Sequence, residues 1–256
     1  MPRDTAHLDR LTTLLRGLAV EQVARPPLPG ASLLVCAAGE GYRLCVPDGA
    51  VGGIAAIRLR WGGAGNPLVA AGALSVDISP GDPAAALVRL IVAELARPQC
   101  GAGPALAGCA EALIVHFLRA VLARGVAAEG MLAGLADARL ARALVAIHDH
   151  PGRHWRAGDL AAEAGMSRSA FMARFGAVMG EGPMGYLRRW RMARAREALA
   201  RGEPVGAVAR RYGYLSADAF RRAFRGTEGH APGATARGGP GQNGMSSSIS
   251  EAGPGA

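Results

Sequence analysis

Two stretches, L-A-A-E-A-G-M-S-R-S-A-F-M-A-R-F at 160–175 and V-A-R-R-Y-G-Y-L-S-A-D-A-F-R-R-A-F at 208–224, carry one pattern twice. Leu160-Ala161, Gly165, Ser167, Phe171 and Phe175 in the first answer to Val208-Ala209, Gly213, Ser216, Phe220 and Phe224 in the second. The offset is 48 residues up to the glycine and 49 after it, so the second copy holds one extra residue in its turn. Each copy reads as a helix closed by a glycine that tolerates the left-handed conformation. A serine then caps the next helix, and a phenylalanine pair four residues apart faces inward. A long helix expected over about 184–200 joins the copies, with Leu187, Arg191, Ala195 and Leu199 in one row and Arg188, Arg189, Arg194 and Arg196 on the other faces. A helix of that length spans roughly 25 Å, and two second helices held about one DNA turn (~34 Å) apart suit successive major grooves. The repeat is therefore read as two helix-turn-helix units that bind double-stranded DNA.

The charge distribution points to the same partner. All 29 basic residues are arginine, and arginine forks pair well with phosphate and guanine. Residues 1–137 hold 11 Arg and 11 acidic residues, whereas residues 138–237 hold 18 Arg and 8 acidic residues, a net +10 on the segment bearing the repeat. A polyanion would dock there. Half the residues are hydrophobic, enough for a packed core across two domains. The first 20 residues mix Asp and Arg without a signal-peptide core, and the longest apolar runs are broken by Arg or Glu, which points to the cytoplasm and away from a membrane.

Outward from the repeat, the N-terminal half reads as mixed. Residues 5–20 put Leu8, Leu11, Leu14, Leu15 and Leu18 on one helical face. Strands are expected over 32–37, 42–46, 54–61 and, with the weakest signal, 68–78, separated by Gly, Pro and Asp turns. Asp82-Pro83 has the signature of a helix start, with a second helix over about 105–124 and a third over 138–150. The wide apolar faces of the first two suggest homodimerisation. The expected class is α+β, divided into a β-rich module (1–80), dimerisation helices (81–125), a connector (126–137), an all-α double helix-turn-helix domain (138–237) and a disordered tail (238–256).

The segment over about 138–233 resembles the DNA-binding domain of the AraC/XylS family of bacterial transcription regulators. The residues that carry the resemblance are W-R-A-G-D-L-A-A-E-A-G-M-S-R-S-A-F-M-A-R-F at 155–175, P-M-G-Y-L-R-R-W-R-M at 183–192 and the stretch at 208–224. By position, the resemblance implies base-contacting roles for Ser169, Met172 and Ala173 in the first unit and for Asp218, Arg221 and Arg222 in the second. Ser167, Arg168 and Ser216 would lie near phosphates, and the exposed arginines Arg188 and Arg225 are assigned to the backbone as well. It also implies contact with RNA polymerase, activation as the output, and an N-terminal cupin-like module that takes a small-molecule effector; here that module is abbreviated. Four departures stand out: Arg156 and Pro204 where Ser or Thr commonly caps the first helices, Leu215 where an acidic residue is frequent, and 228–235, which lacks the usual Phe and has Thr235 in place of Tyr.

The remaining motifs carry less. No G-x-S-x-G, P-loop, H-E-x-x-H or dinucleotide glycine pattern is present, so no cofactor or catalytic residue is assigned and an enzyme fused to a DNA-binding unit is the weaker alternative. A DNA-binding assembly protein without effector control is the other. Cys36, Cys45, Cys100 and Cys109 lack metal spacing; they read as small buried hydrophobes, with a redox pair as the sharper alternative. His148, His150 and His154 straddle a helix end broken by Pro151-Gly152, which disfavours a metal site.

Overall fold

The computed structural model describes residues 9–48, 52–61, 66–70 and 73–232. The first element among the described residues is a short helix, α1 (Thr12–Leu15), whose entry is capped by the Asp9 carboxylate, which accepts from the Leu11 and Thr12 N–H groups. Strand β1 (Leu18–Ala24) follows at once, so of the helix expected over 5–20 only Thr12–Leu15 is helical among the described residues, and 5–8, with Leu8, lie outside them. Leu11 and Leu14 are buried as that stripe required, but Leu18, Val20 and Val23 pair with another strand instead.

Strands β2 (Leu33–Ala38), β3 (Gly41–Cys45) and β4 (Ala55–Trp61) form where expected. The stretch 68–78 divides into helix α2 (Pro67–Ala70), where Asn66 accepts from the Leu68 N–H, and strand β5 (Ser75–Ile78). The five strands make one antiparallel sheet in the order β1-β4-β2-β3-β5. Its apolar face, with Leu33, Val35, Leu44, Ile57 and Val76, is covered by two helices. These are α3 (Pro83–Ala96) and α4 (Ala102–Arg124). Asp82 caps α3 by accepting from the Ala84 N–H, with Pro83 at the first helical position. By length and composition α4 is apolar enough to cross a membrane; its buried stripe, including Leu113, Phe117 and Val121, packs into the shared core. On β2 and β3 the Cys36 and Cys45 sulfurs lie 4.0 Å apart as free thiols, and burial together with Cys36 pushes the Cys45 thiol up to about 11.

The stretch expected to be a plain connector holds a further helix, α5 (Gly130–Ala136), with 131–135 all buried. It packs against α4 and against α6 (Leu140–Asp149) and α8 (Arg168–Met179). The other helices are α7 (Ala157–Ala164), α9 (Pro183–Ala200), α10 (Val205–Arg211) and α11 (Ala217–Glu228). Among the described residues, most buried apolar side chains fall into two clusters. One runs from the sheet through α3–α8 to Trp190 on α9; the other gathers Met192, Ala195 and Leu199 from the second half of α9 with Val208, Tyr212, Phe220 and Phe224. The tail over 238–256 and Thr235 lie outside the described residues.

Candidate nucleic-acid interface

The two copies of the repeat build the same turn. Gly165 (φ +64°) closes α7, its N–H donating to the Ala162 carbonyl, while the Met166 N–H donates to Ala161. Gly213 (φ +79°) repeats this after α10, donating to Arg210, with Tyr214 donating to Ala209. In both turns the orphan carbonyls of the helix end are satisfied by a left-handed glycine. The extra residue of the second copy is Leu215, which projects 93% exposed into solvent. Ser167 and Ser216 then cap α8 and α11, their hydroxyls accepting from the Ala170 and Ala219 N–H groups. Phe171 and Phe175 in one unit, and Phe220 and Phe224 in the other, are fully buried.

Two of the departures from the family pattern come with local contacts. At the start of α7 the Arg156 N–H donates to Asp159 (2.8 Å), the half of a capping box in which the carboxylate three residues on satisfies the N-cap N–H. After α11 the His230 ring meets Phe224 edge-on at 5.8 Å.

With the phenylalanines turned inward, the opposite faces are left to solvent. Ser167, Arg168, Ser169, Met172 and Ala173 are all exposed on the first unit, and Ser216, Asp218, Arg221, Arg222 and Arg225 on the second. The two faces differ in chemistry. Met172 is an exposed apolar side chain on α8, whereas α11 shows three arginines, one of them held by Asp218 in a 2.6 Å ion pair with Arg221. Arg222 and Arg225 make no ion pair among the described residues.

The structure also sorts the arginines that the sequence left equivalent. On α9, Arg189 pairs with Glu181 and Arg194 with Glu197, while Arg188 stays exposed near Tyr214. Arg174, on the outward side of α8, is taken by Asp137, which also caps α6 by accepting from the Arg139 and Leu140 N–H groups. Burial pushes the Asp137 carboxyl upward, but the Leu140 N–H and Arg174 outweigh it and hold it below the usual value. Neither Asp137 nor Arg174 was singled out from sequence, because the pair joins positions 37 residues apart.

Behind the interface His148 is buried, stacked on Trp190 at 4.0 Å and 2.6 Å from the Tyr186 hydroxyl through Nε2. Burial, with Arg194 nearby, depresses its pKa to about 3, so it stands neutral in the core. A cleft of about 640 Å³ opens beside it, lined by Arg16, Arg153, Arg194 and Arg211 among others. Three of these arginines have acidic partners, Glu163, Glu197 and Glu203, so the cleft does not concentrate positive charge as the outer faces do.

The paired units define a double helix-turn-helix protein. Residues 160–238 match a family described as "Helix-turn-helix domain". The chain is 43% identical over 123 residues to a putative AraC-like transcription regulator of Streptomyces lividans, covering 47% of this chain and 40% of that one. It is 42% identical over 123 residues to the Streptomyces antibioticus counterpart, covering 47% and 41%. With the HTH-type transcriptional regulator AlkR of Acinetobacter baylyi it shares 32% identity over 114 residues, covering 44% and 37%. The chain thus spans less than half the length of these curated relatives. Among solved structures, the DNA-binding domain of AdpA in complex with a target DNA is 32% identical, with a TM-score of 0.36 over 38% of this chain and 88% of that one. ToxT from Vibrio cholerae covers 86% of this chain and 88% of that one at 11% identity and a TM-score of 0.42. In its helix-turn-helix segment the chain is AraC-like, as the matching family model and the two Streptomyces regulators show.

Proposed function

We propose that the protein is a sequence-specific regulator of transcription, an activator that sets α8 and α11 into successive major grooves of a promoter. The observation that carries this reading is the repeated turn. The same two hydrogen bonds, serine cap and buried phenylalanine pair leave one face of each second helix exposed. The connecting helix α9 has 18 residues, about 27 Å at 1.5 Å per residue, which suits two elements one DNA turn apart. Ser169, Met172 and Ala173 then read bases in one groove, with Met172 suited to a thymine methyl. Asp218, Arg221 and Arg222 read the other. Ser167, Arg168, Arg188, Ser216 and Arg225 hold the phosphates.

In this reading, residues 1–137 serve assembly and control in the cytoplasm, with RNA polymerase as the downstream partner. The filled apolar face of the sheet favours assembly over effector binding for the N-terminal module. Leu90, 57% exposed on α3, marks the outer face offered to a second copy. The test is enrichment of duplexes from a random library by the full chain, followed by titration of the enriched and a scrambled duplex at fixed salt. Enrichment of a bipartite site bound at least 10³-fold more tightly than the scrambled one is expected; equal affinity for both would refute sequence-specific binding.

A further inference from the structure

The two helix-turn-helix units share α9 but not a core, since one apolar cluster ends at Trp190 and the other begins at Met192. Each half of α9 is packed into its own unit, so any bend or twist of the helix between them would change the angle between α8 and α11. At that point the structure places a polar, backbone-built seam. Arg191 donates from Nε to the Pro151 carbonyl (2.5 Å) and from Nη2 to the Arg153 carbonyl (2.7 Å), tying α9 to the loop that leads into the first unit. The same loop meets the turn of the second unit. A Cβ at Gly152 would come within 2.1 Å of the Arg211 carbonyl oxygen, and one at Gly213 within 2.5 Å of the Gly152 carbonyl oxygen and 3.3 Å of Arg191 Nη2. Within the second unit, the hydroxyl of Tyr212, which ends α10, donates to the Arg194 carbonyl on α9 at 3.2 Å. Half-burial of the Arg191 guanidinium, which lowers its pKa, is compensated by the two carbonyls it engages.

We infer that this seam, with Arg191 as its positioning residue and Gly152 and Gly213 as its points of contact, fixes the angle and separation of the two recognition helices. It thereby determines which spacing between two base clusters the protein accepts. The inference rests on the DNA-binding reading above. One inserted base pair moves a half-site by about 3.4 Å and turns it by roughly 34–36°. A locked pair of units cannot follow that displacement, and a loosened pair can.

The experiment uses the full chain and three probes: a duplex enriched from a random library, the same duplex with one base pair inserted between its two contacted clusters, and the same duplex with one cluster scrambled. The wild type is expected to lose at least roughly tenfold in affinity on insertion. Arg191→Ala and Gly152→Ala should bind the one-cluster duplex within about twofold of wild type, yet bind the intact duplex more weakly and show an insertion penalty below about threefold. Arg191→Lys should recover only part of the discrimination, because an ammonium lacks the planar fork that reaches both carbonyls. Variants that keep the wild-type insertion penalty overturn the proposal, and so does a loss of one-cluster binding equal to the loss on the intact duplex. Failure of the wild type to enrich any duplex would instead overturn the DNA-binding reading itself.

Discussion

Replacing Arg222 by alanine isolates base reading by the second unit. The residue stands exposed on α11 with no ion pair among the described residues, while Phe220 and Phe224 on the opposite face anchor the helix in its core. Truncation therefore removes the proposed base contact without disturbing the scaffold, and the change in stability should stay within about 0.5 kcal/mol. Loss of one bidentate arginine contact to guanine costs about 1–3 kcal/mol, which is roughly a 5- to 150-fold rise in Kd. Arg221 should matter less. It already spends its guanidinium on Asp218 at 2.6 Å in an exposed pair worth about 0–1 kcal/mol, and reaching a base would give that up. Asp218→Ala should accordingly free Arg221, remove a carboxylate facing the polyanion and tighten binding to scrambled DNA. Fluorescence anisotropy with the enriched and scrambled duplexes, at matched salt, reads all three variants. An Arg222→Ala protein with unchanged specific affinity, or with equal losses on both duplexes, would refute the assignment of α11 as a reading helix.

Arg188→Ala should weaken enriched and scrambled duplexes alike and lower the slope of log K against log salt by about 1; a sequence-selective loss in the salt titration would contradict its backbone role. His148 makes stability acid-sensitive. Its folded pKa is about 3 against 6.5 when unfolded, so below 6.5 only the unfolded chain takes up the proton. Stability should fall by about 1.4 kcal/mol per pH unit across that window, and His148→Gln should remove this contribution in urea titrations at pH 7 and pH 5; an unaltered slope would contradict it. Asp137→Ala deletes the α6 cap and the Arg174 pair together, costing about 1–2 kcal/mol. The folded carboxyl titrates below its unfolded value of 3.8, so its contribution is present above that pH and disappears as the pH falls through the folded value. Calorimetric melting at neutral pH and near pH 3 should show the difference between wild type and variant shrinking in acid, and a constant difference would count against the pairing.

The helix-turn-helix units were legible because their signals are local. A glycine that must turn left-handed, a serine two or three residues later and a phenylalanine pair at helical spacing all act within about ten residues, and each appears in its expected role at Gly165, Ser167, Phe171 and Phe175. What the sequence hid is what distant contacts decide. Strand β1 was masked by a leucine stripe that fits a helix, and by a register shift between Val20 and Gln22 that breaks its own alternation. Its partner is β4, some forty residues on. Helix α5 escaped notice because 131–135 are buried all round, leaving no polar face from which a period could be read. Arg191 left a trace, a charge standing in the row of Leu187, Ala195 and Leu199, but only the fold shows the carbonyls of Pro151 and Arg153 that account for it. Likewise the pairing of Arg174 with Asp137 withdraws one arginine from an α8 face that sequence alone would have counted as more basic.

The central claim, two recognition helices in successive major grooves, is tested most directly by guanine N7 methylation interference combined with uracil-for-thymine substitution interference on an enriched duplex, since the thymine methyl that suits Met172 also lies in the major groove. N7 lies in the major groove. The account predicts two clusters of interference on one face of the DNA, about 10–10.5 base pairs apart, with Arg222→Ala erasing one cluster and sparing the other. A single cluster, or two clusters that weaken together in that variant, would contradict it.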